Sequence, residues 1–204
     1  MKKDLILIGA GGHAKSIIEV IESCNEWNIC GLIGLENEKN VQILGYKVIG
    51  TDEDLVSLRN KYDNCFNAVG QIRSFNEKLQ ITNKLKELNF NIPTLIASTA
   101  LVSKTSSIGK GTSIGHGAIV NSDARIGSHS IINSKTLVEH DSCIGNFCHV
   151  STGVLINGGV SIGNYSFVGS GCILRECISI PEKTVISAGT RVMGWPIKNP
   201  YKDY

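Results

Sequence analysis

An Ile, Val or Leu falls on every sixth residue from position 96 to position 192 without a slip, and neither an amphipathic helix nor a two-faced strand can use such a row. The series is Ile96, Val102, Ile108, Ile114, Val120, Ile126, Ile132, Val138, Ile144, Val150, Ile156, Ile162, Val168, Leu174, Ile180, Ile186 and Val192. Four places after most of these sits a small residue, as at Thr112, Ala118, Ala124, Ser130, Thr136, Ser142 and Cys148. The period is that of a parallel β-helix. Each unit is one short strand with its corner, three units close a turn, and residue i lies under residue i+18, with coils about 4.8 Å apart. The position after the aliphatic often holds Gly109, Gly115, Asn121, Gly127, Asn133, Gly145, Asn157, Gly163 or Gly169. Those residues tolerate positive φ, so the corner is expected there. Such a prism has flat faces and no second layer, and packing against copies of itself is the expected way to bury more surface.

Residues 1–95 follow a different grammar. Residues 4–10 read as a buried strand, Gly9-Ala10-Gly11-Gly12 as a tight turn, and 13–23 as a helix with Ile17, Ile18 and Ile21 inward. A second strand is expected at 29–35, and a helix opens after Gly50 with the capping pattern Thr51-Asp52-Glu53-Asp54. Residues 66–70 read as a strand, 75–88 as a helix, and 92–96 as the strand that leads into the prism. The alternation predicts a small parallel α/β sheet, and hence two domains, 1–95 and 96–204.

Glycines between a strand and a helix let backbone N–H groups approach an anion at the helix N-terminus. Gly9, Gly11, Gly12 and His13 are therefore candidates for holding a phosphate or diphosphate. A tight strand-to-helix turn also needs glycine for packing alone. The domain is about half of a full dinucleotide-binding fold, which favours a mononucleotide-type ligand over NAD, although Glu36 near the end of the second strand keeps NAD open.

A formal net charge of +2, without a dense basic cluster, gives no case for nucleic acid. No apolar run reaches membrane-spanning length, and the first nine residues do not read as a secretory signal. The seven cysteines are odd in number and form no Cys-x-x-Cys pair, so a reduced cytoplasm is the expected compartment. Cys148 and Cys172 fall on the small inward position and read as core fillers, and no metal site is expected.

Of the five histidines, His140 stands out, because the corner position before it carries Glu139 and the position after it Asp141. Carboxylates on both sides can raise the basicity of an imidazole and fix its tautomer, as a general base requires. A solvated histidine on a prism edge is the plain alternative. Neighbours on an extended chain point to opposite faces, so adjacency does not say which carboxylate reaches the ring. His116 and His129 read as solvated.

With these residues in view, the chain resembles the NeuD/PglD-like sugar acyltransferases, which include sialic acid O-acetyltransferases and N-acetyltransferases of nucleotide-linked 4-amino sugars. The resemblance spans the full length: a Gly-x-Gly-Gly-His start in a small Rossmann-like domain, then hexapeptide repeats. It implies that the prism is a left-handed parallel β-helix, against the usual crossover rule. It also implies that His140 is the catalytic base, with Asp141 as the acid that orients it. His149 is then placed near the thioester carbonyl of acetyl-CoA, Asn133 in the active site, and Gly158 in backbone contact with the acetyl-CoA arm. Ser170 and Ala188 are expected to line the same groove. Gly194-Trp195-Pro196-Ile197-Lys198 looks like the family's closing Gly-x-Pro-Ala-Lys motif.

Two departures bear on substrate. Members that take UDP-sugars often have two aspartates after the second strand, where this chain has Gly34-Leu35 and then Glu36, which leaves dTDP- and GDP-sugars open. The usual His-Pro before the first repeat is Ala97-Ser98. The resemblance thus implies an acetyl-CoA-dependent N-acetyltransferase acting, at C4, on a nucleotide-linked amino sugar for surface polysaccharide or glycan synthesis. A homotrimer is expected, with acetyl-CoA between neighbouring prisms. Sialic acid O-acetylation and a non-catalytic scaffold are the rival expectations.

Overall fold

A computed structural model describes residues 2–71 and 74–196. The chain forms two compact units, residues 1–98 and 99–204.

In the first unit, β1 (Lys3–Ile8), β2 (Trp27–Ile33), β4 (Tyr46–Gly50) and β5 (Cys65–Asn67) run parallel in the order β4-β2-β1-β5. A short strand, β3 (Gln42–Ile43), pairs antiparallel with β4 at the edge, a hairpin that the alternation of residue types did not announce. Leu5, Ile6, Leu7 and Ile8 are all buried, which is why β1 reads as a continuous apolar run and not as an alternating one. The helix α1 (Gly12–Cys24) buries one stripe, Ala14, Ile17, Ile18, Val20 and Ile21. Two further helices, α2 (Leu55–Arg59) and α3 (Asn76–Glu87), add Leu55, Ile81 and Leu85 to the core around Ile6, Ile33 and Cys65. The expected cap before α2 forms: Asp54 accepts the Thr51 backbone N–H at 2.8 Å, which holds its carboxyl below the usual range. The strand expected at 92–96 is confined to Leu95–Ile96.

The second unit is a three-faced prism of two-residue strands. One face stacks Leu101–Val102, Ile119–Val120, Leu137–Val138, Leu155–Ile156, Ile173–Leu174 and Arg191–Val192, all in parallel register eighteen residues apart. A second stacks Ser107–Ile108 through Ser179–Ile180, and the third continues from Ser113–Ile114 through Ile131–Ile132, His149–Val150 and Phe167–Val168 to Val185–Ile186. From Ile114 to Val192 every residue of the aliphatic series is buried on the axis. The small residue of several units faces inward and ties one coil to the next: Thr112, Ser130, Thr136 and Ser142 each donate a side-chain hydrogen bond to the carbonyl fifteen residues on. Cys148 and Cys172 occupy the same slot and donate in the same way to Gly163 and Ser187.

The corner differs from expectation. Left-handed φ falls three places after the aliphatic, at Gly111, Gly117, Asp123, His129, Lys135, Asp141, Phe147, Gly153 and onward, and not at the residue next to it. Glycine is needed at 109, 127, 145 and 163 for another reason. A Cβ at any of these would stand about 2.5 Å from backbone atoms of the following coil, so stacking and not a dihedral angle excludes a side chain.

Candidate active site

His140 and Asp141 lie in the corner that follows Leu137–Val138, and both side chains are largely exposed. His140 Nδ1 is 2.8 Å from Asp141 Oδ2. Because a carboxylate only accepts, Nδ1 carries the proton and Nε2 is left as the basic nitrogen. Glu139 is engaged elsewhere: its Oε2 accepts from Asn121 Nδ2 at 2.9 Å. Of the two carboxylates beside the ring, Asp141 is therefore the one that reaches it. That hydrogen bond is the main reason the His140 pKa lies above the usual histidine value; loss of solvation opposes it, and the negative charges of Asp141 and Glu139 add to it.

Gly158 sits one coil beyond His140 in the same corner column. Its neighbour Gly159 donates its N–H to the His140 carbonyl at 2.9 Å. Asn133 lies in the preceding corner, where its Oδ1 accepts the Ser134 N–H at 2.8 Å. Ser170 and Ala188 are exposed in that same corner two and three coils on, and the Ser170 hydroxyl is 2.8 Å from that of Ser151. His149 is on neither corner. It projects from the strand His149–Val150 on the face opposite His140, is 6% exposed, and meets the ring of Phe167 edge-on with centroids 5.2 Å apart.

Two histidines depart from their expected place in solvent. His129 is 2% exposed and stacks on Phe147, which stacks in turn on Tyr165, because the left-handed corner positions of successive coils lie in register. His116 is half-buried, with Nδ1 2.9 Å from Thr99 Oγ1. In the closing motif Gly194, Trp195 and Pro196 are described, while Ile197 and Lys198 lie outside the described residues.

In the first unit, Gly9 has φ +114°, and a Cβ there would press on Ala68 and Val69, so this glycine serves the fold. Gly11 and Gly12 differ. Gly11 is extended at φ −83°, and a Cβ on either residue would meet nothing within 4 Å. Strain does not demand glycine at Gly11 or Gly12, and their backbone borders open space at the start of α1. The first turn of α1 has no acidic residue and no side-chain cap at Gly11, and its dipole favours an anion there. His13 is half-buried in that turn against Gly70.

Lys78 is one residue that the sequence pattern concealed, since a lysine on a helix normally reads as solvated. It is fully buried, and Nζ donates to the carbonyls of Asn67 and Val69, both at 3.0 Å. Asn67 Nδ2 returns a bond to the Lys78 carbonyl at 2.9 Å. The network fixes the segment after β5, against which Gly9 packs. Burial pushes the ammonium down to about 7. Among the described residues, no cluster of His, Cys, Asp and Glu could hold a metal ion, and no helix is long and apolar enough to cross a membrane.

An α/β unit followed by a left-handed parallel β-helix is the build of a hexapeptide-repeat acyltransferase. Residues 4–84 match the family described as the PglD N-terminal domain. PerB from Caulobacter crescentus, solved with CoA and GDP-perosamine, is 30% identical over 91% of this chain and 86% of its own, with a TM-score of 0.85. A mutant GDP-perosamine N-acetyltransferase from the same organism, with the same two ligands, is 29% identical over the same shares at 0.85. The acetyltransferase domain of PglB from Neisseria gonorrhoeae, solved with acetyl coenzyme A, is 29% identical over 93% of this chain and 90% of its own, at 0.84. No curated protein matches the chain in sequence. The chain belongs to the NeuD/PglD-like family of sugar acyltransferases.

Proposed function

We propose that the protein transfers the acetyl group of acetyl-CoA to the C4 amino group of a nucleotide-linked amino sugar, in the cytoplasm, for surface polysaccharide or glycan synthesis. The observation that carries this reading is the His140–Asp141 pair, with Nδ1 engaged at 2.8 Å and Nε2 left to accept a proton. As the amine nitrogen bonds to the acetyl carbonyl carbon, its proton passes to His140 Nε2. The carbon–sulfur bond then breaks, and the proton leaves with the CoA thiolate. Asp141 holds the tautomer and stabilises the imidazolium. The developing oxyanion is stabilised by a backbone N–H at Gly158 and by His149.

The sugar nucleotide's phosphates bind at Gly9, Gly11, Gly12 and His13, where the openness beside Gly11 and Gly12 supports close backbone approach. Asn133 contacts the sugar, while Ser170 and Ala188 line the acetyl-CoA groove. A side chain at Gly34 would have to displace the Glu38 carboxylate, which lies 2.7 Å from where its Cβ would be. With Gly34-Leu35 in place of paired aspartates, GDP- or dTDP-linked sugar is preferred to UDP-linked sugar. The ligands of PerB favour this substrate class.

The site is shared between subunits of a homotrimer, a reading supported by the placement of His140 and His149 on opposite sides of one prism. The deciding test assays GDP-, dTDP- and UDP-linked 4-amino sugars and free sialic acid, each with acetyl-CoA. Acetylation of a nucleotide sugar is expected. Turnover of free sialic acid alone would overturn the reading in favour of O-acetylation, and no turnover of any acceptor would favour a scaffold.

A further inference from the structure

Ser122, His140, Gly158 and Glu176 form one corner column, because successive coils are in register eighteen residues apart. At its centre is a close approach. A Cβ built on Gly158 would lie 2.7 Å from both Cε1 and Nε2 of His140, nearer than carbon side chains come to any neighbour. The imidazole therefore lies over the Gly158 backbone, in the volume that a side chain at 158 needs. Backbone conformation does not account for this glycine, since Gly158 is not among the residues with positive φ, whereas Gly159 beside it is, at φ +68°. Nor do backbone atoms of the next coil obstruct it, as they do at Gly127 and Gly145. What a side chain at 158 would meet is the ring of the proposed base.

Two constraints thus fix the ring. Asp141 engages Nδ1 at one end, and the Gly158 backbone supports the Cε1–Nε2 edge at the other. We infer that Gly158 is a positioning residue, whose missing side chain lets the His140 imidazole lie along the corner with Nδ1 on Asp141 and Nε2 facing the next coil. This rests on the reading of His140 as the base and adds a role to Gly158 beyond its backbone contact with acetyl-CoA. A methyl group at 158 would push the ring outward. The ring is 64% exposed, so it has room to swing without disturbing the core, and the cost falls on geometry and not on folding.

The test is Gly158→Ala, which keeps the backbone N–H. The expected result is an unchanged melting temperature, an unchanged acetyl-CoA Kd by calorimetry, and a kcat lower by about tenfold to a hundredfold, as for an angstrom-scale displacement of a reacting group. The His140 Cε1–H titration, followed by NMR in enzyme without substrate, should move to a lower midpoint as the bond to Asp141 is lost. This measurement needs no turnover, so it examines ring placement even if the assignment of His140 as base fails. In the His140→Ala background, adding Gly158→Ala should cost nothing further. A Gly158→Ala enzyme with wild-type kcat and an unmoved His140 titration would overturn the inference. An additive loss in the double variant would also do so, because it would place the effect on acetyl-CoA and not on the ring.

Discussion

His140 and His149 are nine residues apart in the chain and on opposite sides of the prism, one in the corner after Leu137–Val138 and the other on the strand His149–Val150. That placement favours a site in which one thioester meets the two from different subunits. His140→Ala and His149→Ala should therefore each be nearly inactive alone, and their mixture, unfolded and refolded together, should regain activity through sites that combine one intact histidine from each. Sedimentation of the wild type should show a trimer. A mixture that stays as inactive as its components, or a fully active monomer, refutes the shared site.

For His140→Ala itself the expected loss in kcat is about two to four orders of magnitude, the range for removal of a general base. Acetyl-CoA affinity should not change. Stopped-flow or steady-state rates near wild type would remove His140 from the mechanism.

Asp141→Asn carries a pH signature. Asp141 is the main cause of the raised His140 pKa, and a base works only when deprotonated, so with His140 as the proposed base the wild-type acid limb of kcat/KM should lie above the ordinary histidine value. Removing the carboxylate should lower kcat and shift that limb to lower pH. A profile that keeps its midpoint would mean that another group sets it.

Gly11→Val separates binding from folding. With φ −83° and nothing within 4 Å of its Cβ position, valine fits the fold, and the melting temperature should hold. The KM for the sugar nucleotide should rise at least about tenfold, with the acetyl-CoA KM unchanged, because the side chain fills the space through which phosphate is proposed to approach α1. Equal effects on both substrates would count against a phosphate site in this turn.

Lys78 makes stability depend on pH in an unusual direction. Its folded-state pKa of about 7 lies below the unfolded value of about 10.4, so between these limits the unfolded chain binds the extra proton. This contribution to stability grows with rising pH across that window, by about 1.4 kcal/mol per unit at most, and is lost as pH falls toward 7. Urea unfolding of wild type and Lys78→Met at pH 7.5 to 9.5 should give curves that diverge with pH. Parallel curves would show that the buried ammonium keeps its proton.

The axial row was legible because one position per unit must be aliphatic whatever the corners do. From Ile114 to Val192 it is buried throughout. The corners are not legible in the same way: Gly109 and Gly127 suggest a dihedral requirement when the actual one is contact with a coil eighteen residues away, which no local pattern records. The burial of His129 is hidden for the same reason, since the ring it stacks on, Phe147, lies one full turn on. The orienting carboxylate could not be chosen between Glu139 and Asp141 until Asn121, a turn earlier, was seen to engage Glu139. By contrast, the placing of Gly158 in the column of His140 is available from arithmetic alone, since the two positions differ by eighteen residues, one full turn. The Lys78 network left no trace in the pattern, because its acceptors are backbone carbonyls.

The corner glycines also limit how this chain can change length. Each of Gly109, Gly127, Gly145 and Gly163 accommodates the backbone of the coil beyond it. An insertion into the coils that is not a whole number of eighteen-residue turns would move all later positions out of their columns, and bulky side chains would land where the coils touch. A duplication of one whole turn would leave each column in register. The part of the prism beyond the His140 corner can thus grow or shrink in steps of one coil spacing, about 4.8 Å, while His140, Asp141 and the residue beneath them keep their arrangement. The repeat acts as a ruler with fixed graduations, on which the groove can be lengthened without redesign of its reactive end.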